Sequence, residues 1–207
     1  MQLALWLPLL GASVLISFTP GAGAINTMRN SLNVGFRRAF WGILGQQTAL
    51  VIQILIVALG VGVLVSSSPI AFTVIRYSGA AYLVYLGVRQ FLAKPGTSED
   101  DAAAIRDEPA FSLFRRGLWV NLLNPKAIVF FLAFLPQFLR PSQDLLPQYL
   151  VVALTVVAVD VLVMWFFFAA AARSFQRFTQ DAHGQQILNR VFGVLFVGVG
   201  IVLAVIH

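Results

Sequence analysis

The chain has 207 residues, 59% apolar and 11% charged, where a soluble domain averages roughly 25% charged; that much apolar surface cannot hide in one water-soluble core, but several stretches of about 20 apolar residues place it in lipid. The absence of cysteine excludes disulfide scaffolds, thiolate zinc sites and cysteine nucleophiles, and two histidines leave little for a metal cage. The formal charge of +6 is spread between apolar runs and forms no single patch, so it argues for membrane topology and against nucleic acid.

Six apolar runs follow in chain order, at 3–28, 39–65, 70–92, 113–139, 147–172 and 187–206. As helices, each is long enough to cross about 30 Å of hydrocarbon. The expected fold is therefore an all-α integral membrane protein with six transmembrane helices. In the first run Ala22-Gly23-Ala24 resembles a signal-peptide cleavage site. Met1-Gln2-Leu3 carries no cation and the run is too long, so an uncleaved helix is expected.

Basic residues concentrate in alternate connections: Arg29, Arg37 and Arg38 after the first run, Arg89, Lys94, Arg106, Arg115 and Arg116 around the third connection, and Arg173, Arg177 and Arg190 after the fifth run. The intervening connections hold only Arg140. The positive-inside rule makes the basic loops cytoplasmic and puts both termini on the opposite, periplasmic side. Residues 1–92 and 113–207 then form two three-helix halves inserted in opposite directions, an inverted repeat, joined by a cytoplasmic linker over 93–112. The acids of that linker, Glu99, Asp100, Asp101, Asp107 and Glu108, read as a solvated charge run.

Prolines interrupt two of the runs. Pro20 in Thr19-Pro20-Gly21-Ala22-Gly23 breaks helix 1, and Pro125 in Asn121-Leu122-Leu123-Asn124-Pro125-Lys126 breaks helix 4, because proline lacks an N–H and clashes with the preceding turn. Pro20 precedes Arg29 by nine residues, and Pro125 follows Arg116 by nine. Both breaks thus fall roughly 13 Å from the basic side. Two breaks at matching depth, one in each half, point to a central substrate site; the bland alternative is a pair of tolerated kinks. Lys126 and Asp160 lie inside runs, where a charge against lipid is costly, so both should face the bundle interior. They read either as a structural ion pair or as site groups, with Asp160 as proton carrier or amine ligand and Lys126 meeting a carboxylate or balancing Asp160.

Gln46 and Gln53, seven apart on helix 2 with Gln47 and Thr48 between them, and Asn121 and Asn124 on helix 4 either line a polar path or join helices by hydrogen bonds. The glycines outside the Pro20 region read as helix-packing positions that also permit a homodimer. No phosphate-binding glycine loop, His-Glu zinc helix or glycine-flanked serine elbow is present, so neither a nucleotide-driven pump nor a hydrolase is indicated, and no cofactor or metal is expected.

Three segments carry a resemblance across essentially the whole chain: Pro20-Gly21-Ala22-Gly23-Ala24-Ile25-Asn26-Thr27-Met28, Gly79-Ala80-Ala81-Tyr82-Leu83-Val84-Tyr85-Leu86-Gly87, and Asn121 to Phe131 with Leu135-Pro136-Gln137-Phe138. The chain resembles the lysine exporter (LysE) family in its homoserine and threonine resistance branch. Many members have Pro-Gly-Pro-Asn in helix 1, where this chain reads Pro20-Gly21-Ala22-Gly23 and reaches asparagine only at Asn26. The resemblance implies a bacterial inner-membrane exporter of amino acids or their derivatives, driven by the proton gradient. Homoserine, its lactone or threonine are the substrates implied by that branch, with leucine or a basic amino acid as alternatives.

On this reading the substrate site comprises Pro20, Gly21, Gly23, Asn26, Gln46, Asn121, Asn124, Pro125 and Lys126, with Asp160 coupling transport to protons. Amides at the start of the half-helix after Gly21 suit a carboxylate, while carbonyls freed before Pro20 and Pro125 suit an ammonium. A divalent-cation exporter and a non-transporting scaffold are the rival classes. A single acid in the spans argues against the first, and matched breaks with buried charges against the second.

Overall fold

The computed structural model describes residues 2–19, 21–67, 69–93, 108–140, 142–174 and 182–205. Every regular element among them is helical. They are α1 (Leu3–Phe18), α2 (Ala22–Val34), α3 (Phe36–Ser67), α4 (Pro69–Phe91), α5 (Ala110–Leu122), α6 (Pro125–Phe134) with a 3-10 turn at Leu135–Phe138, α7 (Leu145–Leu162) and α8 (Ala182–Val205). A π-helical segment, Val163–Ala169, continues α7.

The described residues of all six apolar runs are mainly helical, two of the runs as bent pairs. The axes of α1 and α2 meet at 55°, as do those of α5 and the segment from Pro125 to Phe138. Pro20 lies outside the described residues, as does most of the linker over 93–112. Proline has the fixed φ and missing donor that suit a helix start, and Pro125 opens α6. Three helices are long and apolar enough to span a bilayer alone: Phe36–Gly60 of α3, Leu145–Ser174 and Ala182–Val202 of α8. Counting each bent pair as one span gives up to five among the described residues. The sixth expected span coincides with α4, a helix of 23 residues over Pro69–Phe91.

Two helix pairs pack at close range. Gly87 on α4 and Gly193 on α8 are so near that a Cβ on either would stand 2.7 Å from the other's carbonyl oxygen. On α3, a Cβ at Gly45 would stand 1.9 Å from the Phe114 oxygen of α5, and one at Gly117 of α5 would stand 2.0 Å from the Gly42 oxygen. Small residues here allow backbone contact that any side chain would prevent. Between α2 and α3 the chain reverses at Gly35, whose φ of 88° favours glycine.

The main core joins Leu9 and Ile16 of α1, Leu50 and Ile54 of α3, Leu83 of α4, Val152 of α7 and the row Phe130, Phe131, Phe134 and Phe138. Neighbouring rings in that row lie 5.0 to 5.4 Å apart. Large apolar side chains such as Leu59, Ile70, Leu154 and Val205 point outward and are more than two-thirds exposed. A water-soluble surface would not carry so broad an apolar belt, but lipid accepts it.

Candidate functional site

The site lies where both bent pairs change direction. Proline at position 20 offers no N–H to the carbonyl four residues earlier, that of Ile16. The structure supplies another donor: Lys126 Nζ, from the first turn of α6, donates to Ile16 O at 2.9 Å and also to Thr19 O. A cation thereby sits on the negative end of the α1 dipole. The same pattern occurs in the second half. Pro125 likewise has no N–H for Asn121 O, which accepts from the Asn124 N–H at 3.1 Å and from Gln53 Nε2 of α3 at 3.1 Å; Leu122 O accepts from the same side-chain nitrogen at 3.3 Å. Both carbonyls are therefore already occupied, one by a tethered ammonium and one by a backbone N–H and a side-chain amide.

Asn124 caps α6, its Oδ1 accepting from the Lys126 backbone N–H at 3.1 Å. Its Nδ2 donates to Asn121 Oδ1 at 3.3 Å, and Asn121 Nδ2 donates to Gln46 O at 3.1 Å. Gln46 Nε2 reaches the opposite break, donating to Gly23 O at 3.1 Å and Thr27 Oγ1 at 3.0 Å. Gln46, Asn121, Asn124 and Lys126 are all buried, and this chain of bonds ties α2, α3, α5 and α6 together. The helix-joining and path-lining readings of these amides thus concern the same side chains.

Asp160 of α7 is partly buried and accepts from Ser17 Oγ at 3.0 Å and Gln47 Nε2 at 2.7 Å. Its carboxylate and the Lys126 ammonium make no direct ion pair. Each charge is satisfied by its own neutral partners, and both residues line one cavity of about 40 Å³. That volume holds a few waters. Gly21, Gly23, Gln46, Asn121 and Asn124 line it with them, together with Ser17, Ala127 and Met164. The start of α2 opens into it at Gly21, without a side-chain cap, so the amides of the first turn and the positive end of the helix dipole face the cavity.

Two expected site residues stand elsewhere. Pro125 is not among the lining residues. Asn26 faces α5, where its Oδ1 accepts from Arg116 Nε at 3.3 Å. Sequence reasoning gives Ser17 no role and leaves Gln47 without a partner; Ser17 lies three residues before Pro20, but nothing in its own spacing marks a carboxylate partner 143 residues away. No group of three or more His, Asp or Glu able to hold a metal occurs among the described residues.

Comparison with known proteins gives this geometry a context. The family model for the LysE type translocator matches residues 14–206. A homoserine/homoserine lactone efflux protein of Salmonella typhi is 42% identical over 199 residues, covering 96% of this chain and 95% of the relative. The protein of that name in Salmonella typhimurium is 41% identical with the same coverage. An uncharacterized membrane protein of Vibrio cholerae is 37% identical over 99% of this chain and 98% of its own length. No solved structure matches the chain. The chain belongs to the LysE type translocator family and is a membrane transporter, not an enzyme.

Proposed function

We propose that the protein exports a small amino acid or amino-acid derivative across the bacterial inner membrane, with homoserine and homoserine lactone as first candidates and threonine next, in exchange for inward-moving protons. The substrate assignment is supported by the two Salmonella relatives named for homoserine and homoserine lactone efflux. The observation that carries the mechanism is a single cavity at the two helix bends, with an acid and a base on its wall that do not pair directly.

Such a wall suits a zwitterion. A substrate ammonium meets Asp160, and a carboxylate meets the open amides at the start of α2 or the Lys126 ammonium. A lactone has no carboxylate, so Asp160 is its main polar partner. Because Lys126 and Gln53 already hold the proline-freed carbonyls, those carbonyls play no part in substrate binding here. Asp160 takes up a proton from outside and releases it inside, and Ser17 and Gln47 hold its carboxyl in place through the cycle.

The proposed architecture is two inverted three-helix repeats, 1–92 and 113–207, whose helices broken at Pro20 and Pro125 meet at the site. The basic loops face the cytoplasm and both termini the periplasm. The cavity widens to admit the substrate and opens to each side in turn. The proposal is tested by efflux of labelled homoserine from preloaded cells, with and without the protein and with and without a proton uncoupler. Protein-dependent, uncoupler-sensitive efflux is expected. Absence of efflux from cells with confirmed membrane expression would remove homoserine and turn attention to threonine, leucine and basic amino acids.

A further inference from the structure

The two routes out of the central cavity are built differently. Towards the end of α6 lies the close-packed row Phe130, Phe131, Phe134 and Phe138, each no more than 5% exposed. Towards the arginine-bearing side, the buried face of α2 presents Gly23, Asn26, Thr27 and Asn30, spaced at three, four and seven residues, so they form one stripe along the helix. The stripe starts at the cavity, where Gly23 and Thr27 meet Gln46. It ends at Arg116 of α5. The Arg116 guanidinium donates to Asn26 Oδ1 at 3.3 Å, to Asn30 Oδ1 at 2.6 Å and to Glu108 Oε1 at 2.9 Å, and Glu108 Oε2 stands 2.8 Å from the same group. Asn26 and Asn30 are 8% and 0% exposed, whereas the Arg116 side chain is 40% exposed. The guanidinium thus lies where the buried polar stripe meets the surrounding medium.

We propose that Arg116 is the latch of this entrance, a positioning residue that holds α2 against α5 and, with Glu108, closes the polar stripe between the medium and the cavity. Of the two seals this is the polar one: water can replace the partners of its asparagines and guanidinium as it opens, whereas parting the other exposes a row of buried phenylalanine rings. A guanidinium suits such a closure, since its planar fork holds two amide oxygens and a carboxylate at once, and the interaction is lost as a unit when the helices part. The backbones of α3 and α5 touch at Gly42, Gly45 and Gly117, whereas α2 meets that pair through side chains, those of Asn26, Asn30, Gln46 and Arg116, so the movement is assigned to α2. The latch rests on the transport reading for its purpose and on the proposed topology for its cytoplasmic location.

The absence of native cysteine makes a side-specific test direct. A single reporter cysteine replaces Ala127, which lines the cavity. Its labelling by a membrane-impermeant thiol reagent is then timed in inside-out and right-side-out vesicles. Arg116→Ala is expected to speed labelling from the arginine-bearing face about tenfold, the scale set by losing charge-assisted hydrogen bonds, and to leave the other face unchanged. Glu108→Gln, which keeps both asparagine contacts, shifts the same face by less, and Arg116→Lys restores part of the closure. Unchanged labelling, or an equal rise from both faces, would overturn the latch. Should Arg116→Ala fail to accumulate in the membrane, Glu108→Gln carries the same test with the same two outcomes. Failure of wild-type homoserine efflux would sink the transport reading while leaving the labelling result to stand by itself.

Discussion

Replacing Lys126 with alanine removes the cation that joins the two bent helices. In the wild type its Nζ serves Ile16 O and Thr19 O, at the end of α1, and approaches the Phe196 ring to 5.8 Å from the centroid. Alanine leaves two buried carbonyls without that donor, and an unsatisfied buried polar group costs about 1–3 kcal/mol. The expected loss is therefore about 2–6 kcal/mol, reduced where water enters the enlarged cavity. Since even 1–2 kcal/mol changes the folded-to-unfolded ratio by a factor of about 5–30, the variant should show reduced membrane abundance and a lower unfolding temperature in detergent. Lys126→Arg keeps the charge and several donors and should lie between the two. The assay is thermal unfolding of purified protein, monitored by size-exclusion chromatography after heating, beside immunodetection in membranes. An alanine variant as abundant and as heat-resistant as the wild type would refute the reasoning that Lys126 holds the end of α1.

Packing and site geometry set three further outcomes. Gly45→Ala must push a methyl into the Phe114 carbonyl of α5, while Gly60→Ala meets nothing within 4 Å; the first should destabilise by about 1–3 kcal/mol or more and deplete the membrane pool, and the second should match wild type. Gln53→Leu strips Asn121 O and Leu122 O of their side-chain donor, with a cost of about 1 kcal/mol measurable as a lower unfolding temperature. If Asp160 is the ammonium partner, unlabelled homoserine lactone should compete with labelled homoserine for efflux, whereas N-acetylhomoserine, which keeps the carboxylate but lacks the ammonium, should compete poorly; the reverse order would remove Asp160 from that role.

The helices are readable from the chain alone because each apolar run is long, and the described residues of all six are mainly helical. Proline also marks which carbonyls lose the N–H four residues on, those of Ile16 and Asn121, since that loss is a matter of covalent chemistry. The groups that fill those vacancies are not readable. Lys126 and Gln53 reach them from other helices, and spacing within a helix does not say which faces of separate helices meet. For the same reason Lys126 and Asp160, natural partners by charge, are held apart by carbonyls on one side and by Ser17 and Gln47 on the other. Glu108 sits in what reads as a solvated acidic run, yet it pairs with Arg116, and Asn26 belongs to that cluster and not to the cavity. The π-helical segment after α7 has no counterpart in hydrophobic periodicity.

In the proposed cycle, proton movement drives amino-acid movement through Asp160. Asparagine at this position can keep accepting from Ser17, and Gln47 can turn its Oε1, which has no partner in the structure, toward the new amide, so the fold should be retained. The decisive experiment is transport of labelled homoserine by purified protein in liposomes under an imposed pH gradient, comparing the wild type with Asp160→Asn. The wild type should accumulate homoserine against its own gradient, and the variant should exchange labelled for unlabelled homoserine without accumulation. Gradient-driven accumulation at the wild-type rate by Asp160→Asn would contradict a proton-carrying Asp160.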